Sequence, residues 1–144
     1  KIVDTAPDAP TLTFNNIGRH VSHMAYTRVT SVKSPWFSMC EAGDIHAVPI
    51  SHGEGRFVAD EAHLQQLIAN GQIATQYVDL AGNVADAMPY NPNGSVLAIE
   101  GITSPDGRVL GKMAHSARKG DNLYKNVPYN KDQKIFESGV AYFK

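Results

Sequence analysis

The segment that most restricts how this chain folds runs from Ile99 to Arg118. Ile99-Glu100-Gly101-Ile102-Thr103 has the β-branched content of a strand, Ser104-Pro105-Asp106-Gly107 has turn composition, and Val109-Leu110-Gly111 resumes an apolar run. The predicted unit is a strand, a tight turn and a second strand, which delivers His115 just past the end of the sheet. A side chain at such a position leaves the scaffold and can meet a substrate.

Other strand signals surround this unit. His23-Met24-Ala25-Tyr26-Thr27-Arg28-Val29-Thr30 is rich in β-branched and aromatic residues, and Lys33-Ser34-Pro35-Trp36 breaks it. Ile45-His46-Ala47-Val48-Pro49-Ile50 is the next predicted strand, with a proline that confines its position to an edge, a bulge or a strand end. His52-Gly53-Glu54-Gly55 follows as a flexible turn, then the strand-like Arg56-Phe57-Val58. Asp60 is the predicted N-cap of one helix running to about Ala69, because Ala62, Leu64, Leu67 and Ile68 recur near helical spacing and Asn70-Gly71 supplies the stop. Ile73 to Val78 reads as a strand, and Asn91-Pro92-Asn93-Gly94 is a turn before Val96-Leu97-Ala98-Ile99. Residues 1–20 read as an irregular lead-in in which only Thr11-Leu12-Thr13-Phe14 alternates, and residues 118–144 read as a polar, turn-rich packed tail.

Composition narrows the function classes. With 144 residues, 42% hydrophobic and 19% charged, the chain has the make-up of one domain with one core. A net charge of −1 with scattered Lys and Arg offers no footprint for nucleic acid or an anionic membrane, so neither is an expected partner. No apolar run approaches the roughly 20 residues of a membrane span, and the start Lys1-Ile2-Val3-Asp4 lacks a signal-peptide layout. Cys40 is the single cysteine, which suits a reducing compartment, and the expected location is the cytoplasm. A first residue other than Met suggests a piece of something longer. His20 and His23 stand three residues apart but belong to no metal-ligand pattern, so no metal site is expected from spacing.

Two stretches carry a resemblance. Val48-Pro49-Ile50-Ser51-His52-Gly53-Glu54-Gly55-Arg56-Phe57 and Gly111-Lys112-Met113-Ala114-His115-Ser116-Ala117-Arg118 closely resemble the glutaminase domain of phosphoribosylformylglycinamidine synthase. Ordered blocks such as Gly71-Gln72-Ile73-Ala74-Thr75-Gln76-Tyr77-Val78 and Tyr90-Asn91-Pro92-Asn93-Gly94-Ser95 extend the similarity over roughly residues 1–127. The resemblance implies an α/β fold: the C-terminal portion of a flavodoxin-like class I glutamine amidotransferase domain, strand-rich with one clear helix, over residues 1–144. It implies a cysteine nucleophile, a histidine base and a glutamate that orients the histidine, by the logic of the serine-protease triad. His115 matches the base. The family motif resembles Gly-Lys-Met-Gly-His-Ser-Glu-Arg, so Ala114 stands where the family has Gly and Ala117 where it has the triad Glu. Ser51, His52 and Gly53 are implied pocket residues for glutamine, and consecutive glycines let the main chain approach a ligand closely.

The resemblance also implies that the nucleophile-bearing portion precedes Lys1, and that ATP and magnesium belong to synthetase domains outside this chain. No cofactor is expected within it. The implied function is release of ammonia from glutamine for ATP-dependent amidination of formylglycinamide ribonucleotide, with the rest of the synthase polypeptide as partner. This chain alone is expected to be inactive, since altering the orienting carboxylate of a serine-protease triad costs about 10⁴ in turnover. Two rival readings stand beside this one: a non-catalytic pseudo-glutaminase serving as an interaction or regulatory module, and a free-standing hydrolase using Cys40 with His115. A parallel sheet cut through its middle would leave an unpaired apolar edge, so self-association or an N-terminal partner is also expected.

Overall fold

Seven strands and two helices form in the computed structural model, which describes residues 1–144: β1 (Thr11–Thr13), β2 (Val21–Val29), β3 (Ile45–His52), β4 (Arg56–Val58), α1 (Glu61–Ala69), β5 (Ile73–Tyr77), β6 (Ile99–Thr103), β7 (Leu110–Lys112) and α2 (Ile135–Phe143). Five strands make one sheet in the order β3-β2-β5-β6-β7, with every neighbouring pair antiparallel. The long β2–β3 pair sets the frame, from Val21 opposite His52 to Arg28 opposite Ile45. β1 pairs with β4 as a separate two-stranded ribbon, so the lead-in is more ordered than its composition suggests.

Pro49 shows how this order follows from the sequence. Ala47 donates its amide outward, away from β2, to the Asn130 carbonyl at 2.8 Å. Two residues on, Pro49 faces the same way, so the N–H it lacks is not one the β2–β3 ladder needs. β3 is an edge strand, as the proline requires. Its outer side is partly covered by the chain itself, at Asn130 and at His115, whose amide donates to the Pro49 carbonyl at 2.8 Å. The all-antiparallel sheet therefore differs from the cut parallel sheet behind the edge argument, and β7, three residues long, is the edge with no further strand.

Apolar residues from the strands, both helices and the segments between them build three core clusters, one of them joining Val21, Ala25, Val48, Ile50 and Tyr77. Helix α1 forms where the sequence places it. Asp60 Oδ1 accepts from the His63 amide at 2.8 Å, and Leu64 and Leu67 are buried. Its end is a Schellman motif: Gly71, at φ +63°, donates to Ile68 and Gln72 donates to Leu67.

Two elements depart from the sequence reading. Val96–Ala98 is a single 3-10 turn, with Leu97 and Ala98 at positive φ, so β6 begins only at Ile99. The tail contains a second helix, α2, where packing without a helix was expected. Its start carries no sequence signal, because Lys134 is left-handed and no side chain caps the first turn. Its middle holds Gly139, which weakens a helix on propensity alone. Tertiary packing supplies what is missing: a Cβ on Gly139 would lie 2.3 Å from the Trp36 ring, so glycine lets the indole rest on the helix. Trp36 Nε1 donates to the Arg108 carbonyl at 2.8 Å, and Ser138 Oγ accepts from the Met39 amide at 3.2 Å.

Candidate active site

The β6–β7 pair positions His115 much as its sequence predicts, three residues beyond β7. What fixes the intervening residues is a buried carboxylate. Glu100, on β6, has no exposed side-chain surface; its Oε1 accepts from the Met113 amide at 3.0 Å, the Ala114 amide at 2.6 Å and Lys112 Nζ at 3.1 Å. Its Oε2 accepts from Thr75 Oγ1 at 2.5 Å. Lys112 Nζ also donates to the Ala114 carbonyl at 2.8 Å. The two backbone amides immediately before His115 are thus tied to one charged group, and hydrogen bonds to ionised acceptors are about twice as strong as neutral ones. Sequence reading missed Glu100 and Lys112 as parts of the site. A charged residue inside an otherwise apolar strand was the available signal, since a buried carboxylate needs partners.

Beyond the clamp, His115 is half-buried and Ala117 is exposed, within a turn closed by the Arg118 amide donating to the His115 carbonyl at 3.0 Å. The rings of His20 and His63 have side-chain partners, Ser51 Oγ at 3.1 Å and Asp60 Oδ1 at 2.7 Å, whereas the His115 ring has none in the chain. With Ala117 beside it, no carboxylate orients that imidazole. A cavity of about 570 Å³ opens at this point between His115, Ala117, Trp36, Leu110 and Phe136.

The second predicted group lies at the end of β3. Ser51 and His52 are its last two residues and Gly53 follows it directly. Asn15 holds this loop, donating from Nδ2 to the His52 carbonyl at 2.8 Å and accepting at Oδ1 from the Gly55 amide at 3.0 Å and from Asn93 Nδ2 at 2.7 Å. The Asn15 amide donates to the Gly53 carbonyl at 2.9 Å, and Ser95 Oγ donates to the Gly55 carbonyl at 3.2 Å. Gly55 has to be glycine here, for a Cβ would meet the His52 ring at 2.2 Å. Asn15, Asn93 and Ser95, all buried, are further site-shaping residues that sequence reading did not single out.

His52 has both ring nitrogens buried without a hydrogen bond. Burial pushes its pKa below the usual imidazole range, and nearby His115 and His20 push it the same way, against a partial opposing pull from the Asn93 side chain and the Glu100 charge. His52 and His115 therefore belong to one electrostatic neighbourhood, in which His52 stays neutral near pH 7.

Cys40 lies elsewhere. Its Sγ donates to the Gln133 carbonyl at 3.1 Å, beside the cluster of Val29, Phe37, Ala74 and Ile135, and it makes no hydrogen bond with His115. Burial, with the charges of Asp44 and Asp132, raises its pKa to about 11. An activated nucleophile requires the opposite shift, so the pairing of Cys40 with His115 as a hydrolytic couple finds no support in this geometry.

The sheet presents His115, its approach fixed by Glu100, in one electrostatic neighbourhood with the glycine-containing loop at His52, and comparisons with known proteins place that framework. Residues 1–143 match the model of the CobB/CobQ-like glutamine amidotransferase domain, and the chain belongs to that family. Within the family it is similar to phosphoribosylformylglycinamidine synthase subunit PurQ. The Methanosarcina mazei protein of that name is 35% identical over 131 residues, covering 91% of this chain and 54% of the relative. The Thermomicrobium roseum protein is 40% identical over 104 residues, covering 72% and 43%. Among solved structures, one described as PurLQS from Thermotoga maritima superimposes with a TM-score of 0.67 at 25% identity, covering 93% of this chain and 53% of that one. The chain spans about half the length of the curated relatives it matches. The fold is a strand-rich α/β fold, as the resemblance implied, with two helices rather than one. No helix is long and apolar enough to cross a membrane.

Proposed function

We propose that this chain is the base-bearing portion of a glutaminase that supplies ammonia to phosphoribosylformylglycinamidine synthase. His115 is the general base, and Ser51, His52 and Gly53 form part of the glutamine pocket. In this reading His115 takes the proton of a cysteine thiol contributed from outside residues 1–144. The thiolate attacks the side-chain amide carbon of glutamine, and the proton returns from His115 to the nitrogen as the C–N bond breaks and ammonia leaves. Water then cleaves the thioester to give glutamate and the free thiol. Neutral His52 keeps a second positive charge away from His115 while it carries the proton. Ammonia passes to the remainder of the synthase, where ATP and magnesium act at synthetase sites that this chain does not form. Residues 1–144 by themselves do not hydrolyse glutamine.

The observation that carries the reading is the fixed approach of His115: its amide is held on Pro49 and the two preceding amides on Glu100. The chain's 35% identity to a PurQ relative supports it. The exposed Ala117 favours a second reading, a module that keeps the fold and serves as a docking or regulatory surface. Glutamine hydrolysis by the full-length protein separates the two. Ala117→Glu should raise turnover by up to about 10⁴, the scale on which a triad carboxylate acts, and adding His115→Ala should abolish the gain. No gain in a folded Ala117→Glu variant would favour the module.

A further inference from the structure

At the opposite end of β3 from Ser51 and His52, a second group of polar side chains converges, separate in sequence from the glutaminase residues. Cys40 Sγ, a carboxylate oxygen of Asp44 and a ring nitrogen of His46 lie within 4.8 Å of one another. A tight turn assembles them. The Cys40 amide donates to Phe37, the Asp44 amide to Glu41, and the Glu41 amide returns to Asp44 Oδ2 at 2.8 Å. Gly43, at φ +97°, supplies the left-handed step. The turn is stitched to β2 on both sides, Gly43 donating to the Val29 carbonyl at 2.8 Å and the Val29 amide to the Asp44 carbonyl at 2.9 Å. β3 then carries His46 beneath it.

His46 is the independent sign that the cluster is built for a ligand. It is 3% exposed, yet its Nδ1 is buried with no hydrogen-bond partner. Leaving such a group unpaired is unfavourable, so the imidazole calls for a partner that the chain does not supply. We propose that Cys40, Asp44 and His46 form a binding site for zinc or a similar borderline-soft divalent cation, with a solvent molecule completing four-coordination.

The donor set fits that ion. Thiolate, imidazole and carboxylate are its three common ligand types, whereas magnesium and calcium select oxygen alone. Burial holds His46 below its usual pKa, so it stands ready as a neutral ligand, and Asp44 supplies an anion. The Cys40 thiol must give up its proton to solvent on binding. Burial, Asp44 and Asp132 all oppose a bare thiolate, and a dication at the same point reverses that balance. The bound unit is electrically neutral: one dication, one thiolate, one carboxylate and one imidazole. Lys134 beside Cys40 and Lys112 beside His46 act against the cation, and Asp132 acts for it.

The test uses the full-length protein, stripped with chelator and titrated with Co²⁺ and Zn²⁺. Co²⁺ should produce a thiolate-to-metal charge-transfer band that Zn²⁺ displaces. The band should vanish in Cys40→Ser, and in Asp44→Asn the affinity should fall by more than the roughly 10–100-fold typical of losing an outer-shell partner. Asp44 is only half-buried and Asp44→Asn keeps its shape, so the second variant keeps the test valid if the first folds poorly. Peptide-level mass spectrometry after alkylation separates Cys40 from any other thiol, and Zn²⁺ should slow its modification at least tenfold. A band that survives Cys40→Ser, unchanged affinity in Asp44→Asn, or alkylation of Cys40 at one rate with and without Zn²⁺ each overturns the site, whatever the glutaminase assay shows.

Discussion

The approach to His115 and the seat of α2 are secured by opposite kinds of interaction. His115 follows a segment held by buried polar groups: Glu100 gathers two amides, one hydroxyl and one ammonium, each with defined direction. Helix α2 is held mainly by contact of apolar surfaces, with Trp36 against Gly139 and Phe143, the two aromatic rings 5.7 Å apart. Directional bonds fix where atoms sit, and apolar contact fixes that surfaces touch. The site therefore rests on the kind of interaction that sets position to a fraction of an ångström, and the tail rests on the kind that tolerates adjustment. Half-exposed Phe136, Val140 and Phe143 on α2 fit that looser mode.

The largest effect should come from breaking the polar side. Glu100→Ala leaves the Ala114 amide and the Thr75 hydroxyl without their acceptor and the Lys112 charge without its counter-ion, while the Met113 amide keeps the backbone carbonyl of residue 100; removing one partner of a buried ion pair costs about 3–5 kcal/mol. Urea unfolding should show that loss. Glu100→Gln retains an acceptor oxygen and should lose less. A loss below about 1 kcal/mol for the alanine variant would mean that water replaces the carboxylate and that the clamp does not set the approach to His115.

On the apolar side the effect should be smaller. Gly139→Ala gains about 1 kcal/mol of helix propensity but forces the Trp36 ring away from a Cβ it would meet at 2.3 Å. Overpacking of this kind costs about 1–3 kcal/mol. The net change in denaturant midpoint should be a modest destabilisation, accompanied by a shift in Trp36 fluorescence. Stabilisation with unchanged fluorescence would show that the indole does not rest on α2.

The same contrast decides how much was legible in the sequence. Period, turn residues and caps are local, so β2, β3, β5, α1 and the β6–β7 pair with His115 could be read directly. Asp60 and Gly71 announced both ends of α1 because each acts within a few residues of itself. Helix α2 was hidden because its stabilising partner, Trp36, lies about a hundred residues away and its own signals are poor. Glu100, Asn15 and Asn93 were hidden for a related reason: a buried polar residue acquires meaning from the amides it reaches, and those come from distant segments. Cys40, Asp44 and His46 escaped because their spacing follows a turn and a strand start rather than a helix face.

The smallest expected effect probes a local cap that owes nothing to either long-range mode. The His63 amide and ring hold the Asp60 carboxylate below its usual pKa. A carboxylate with a depressed folded-state pKa stabilises fully above its unfolded value near 3.8 and loses that contribution as pH falls through the folded value. Asp60→Asn retains an N-cap acceptor that does not titrate. The melting temperatures of the parent and this variant should differ by a small amount at pH 7, in the parent's favour, and converge as the pH drops below the carboxylate range. Three imidazoles, His23, His46 and His52, act on the same curve at higher pH, because burial lowers each of them. The unfolded chain then takes up protons first as pH falls through about 6.5, so both proteins should lose stability together between pH 7 and 5. The further loss below pH 5 should fall on the parent alone and close the gap between them, and a difference that persisted unchanged to pH 2 would show that the cap does not depend on the Asp60 charge.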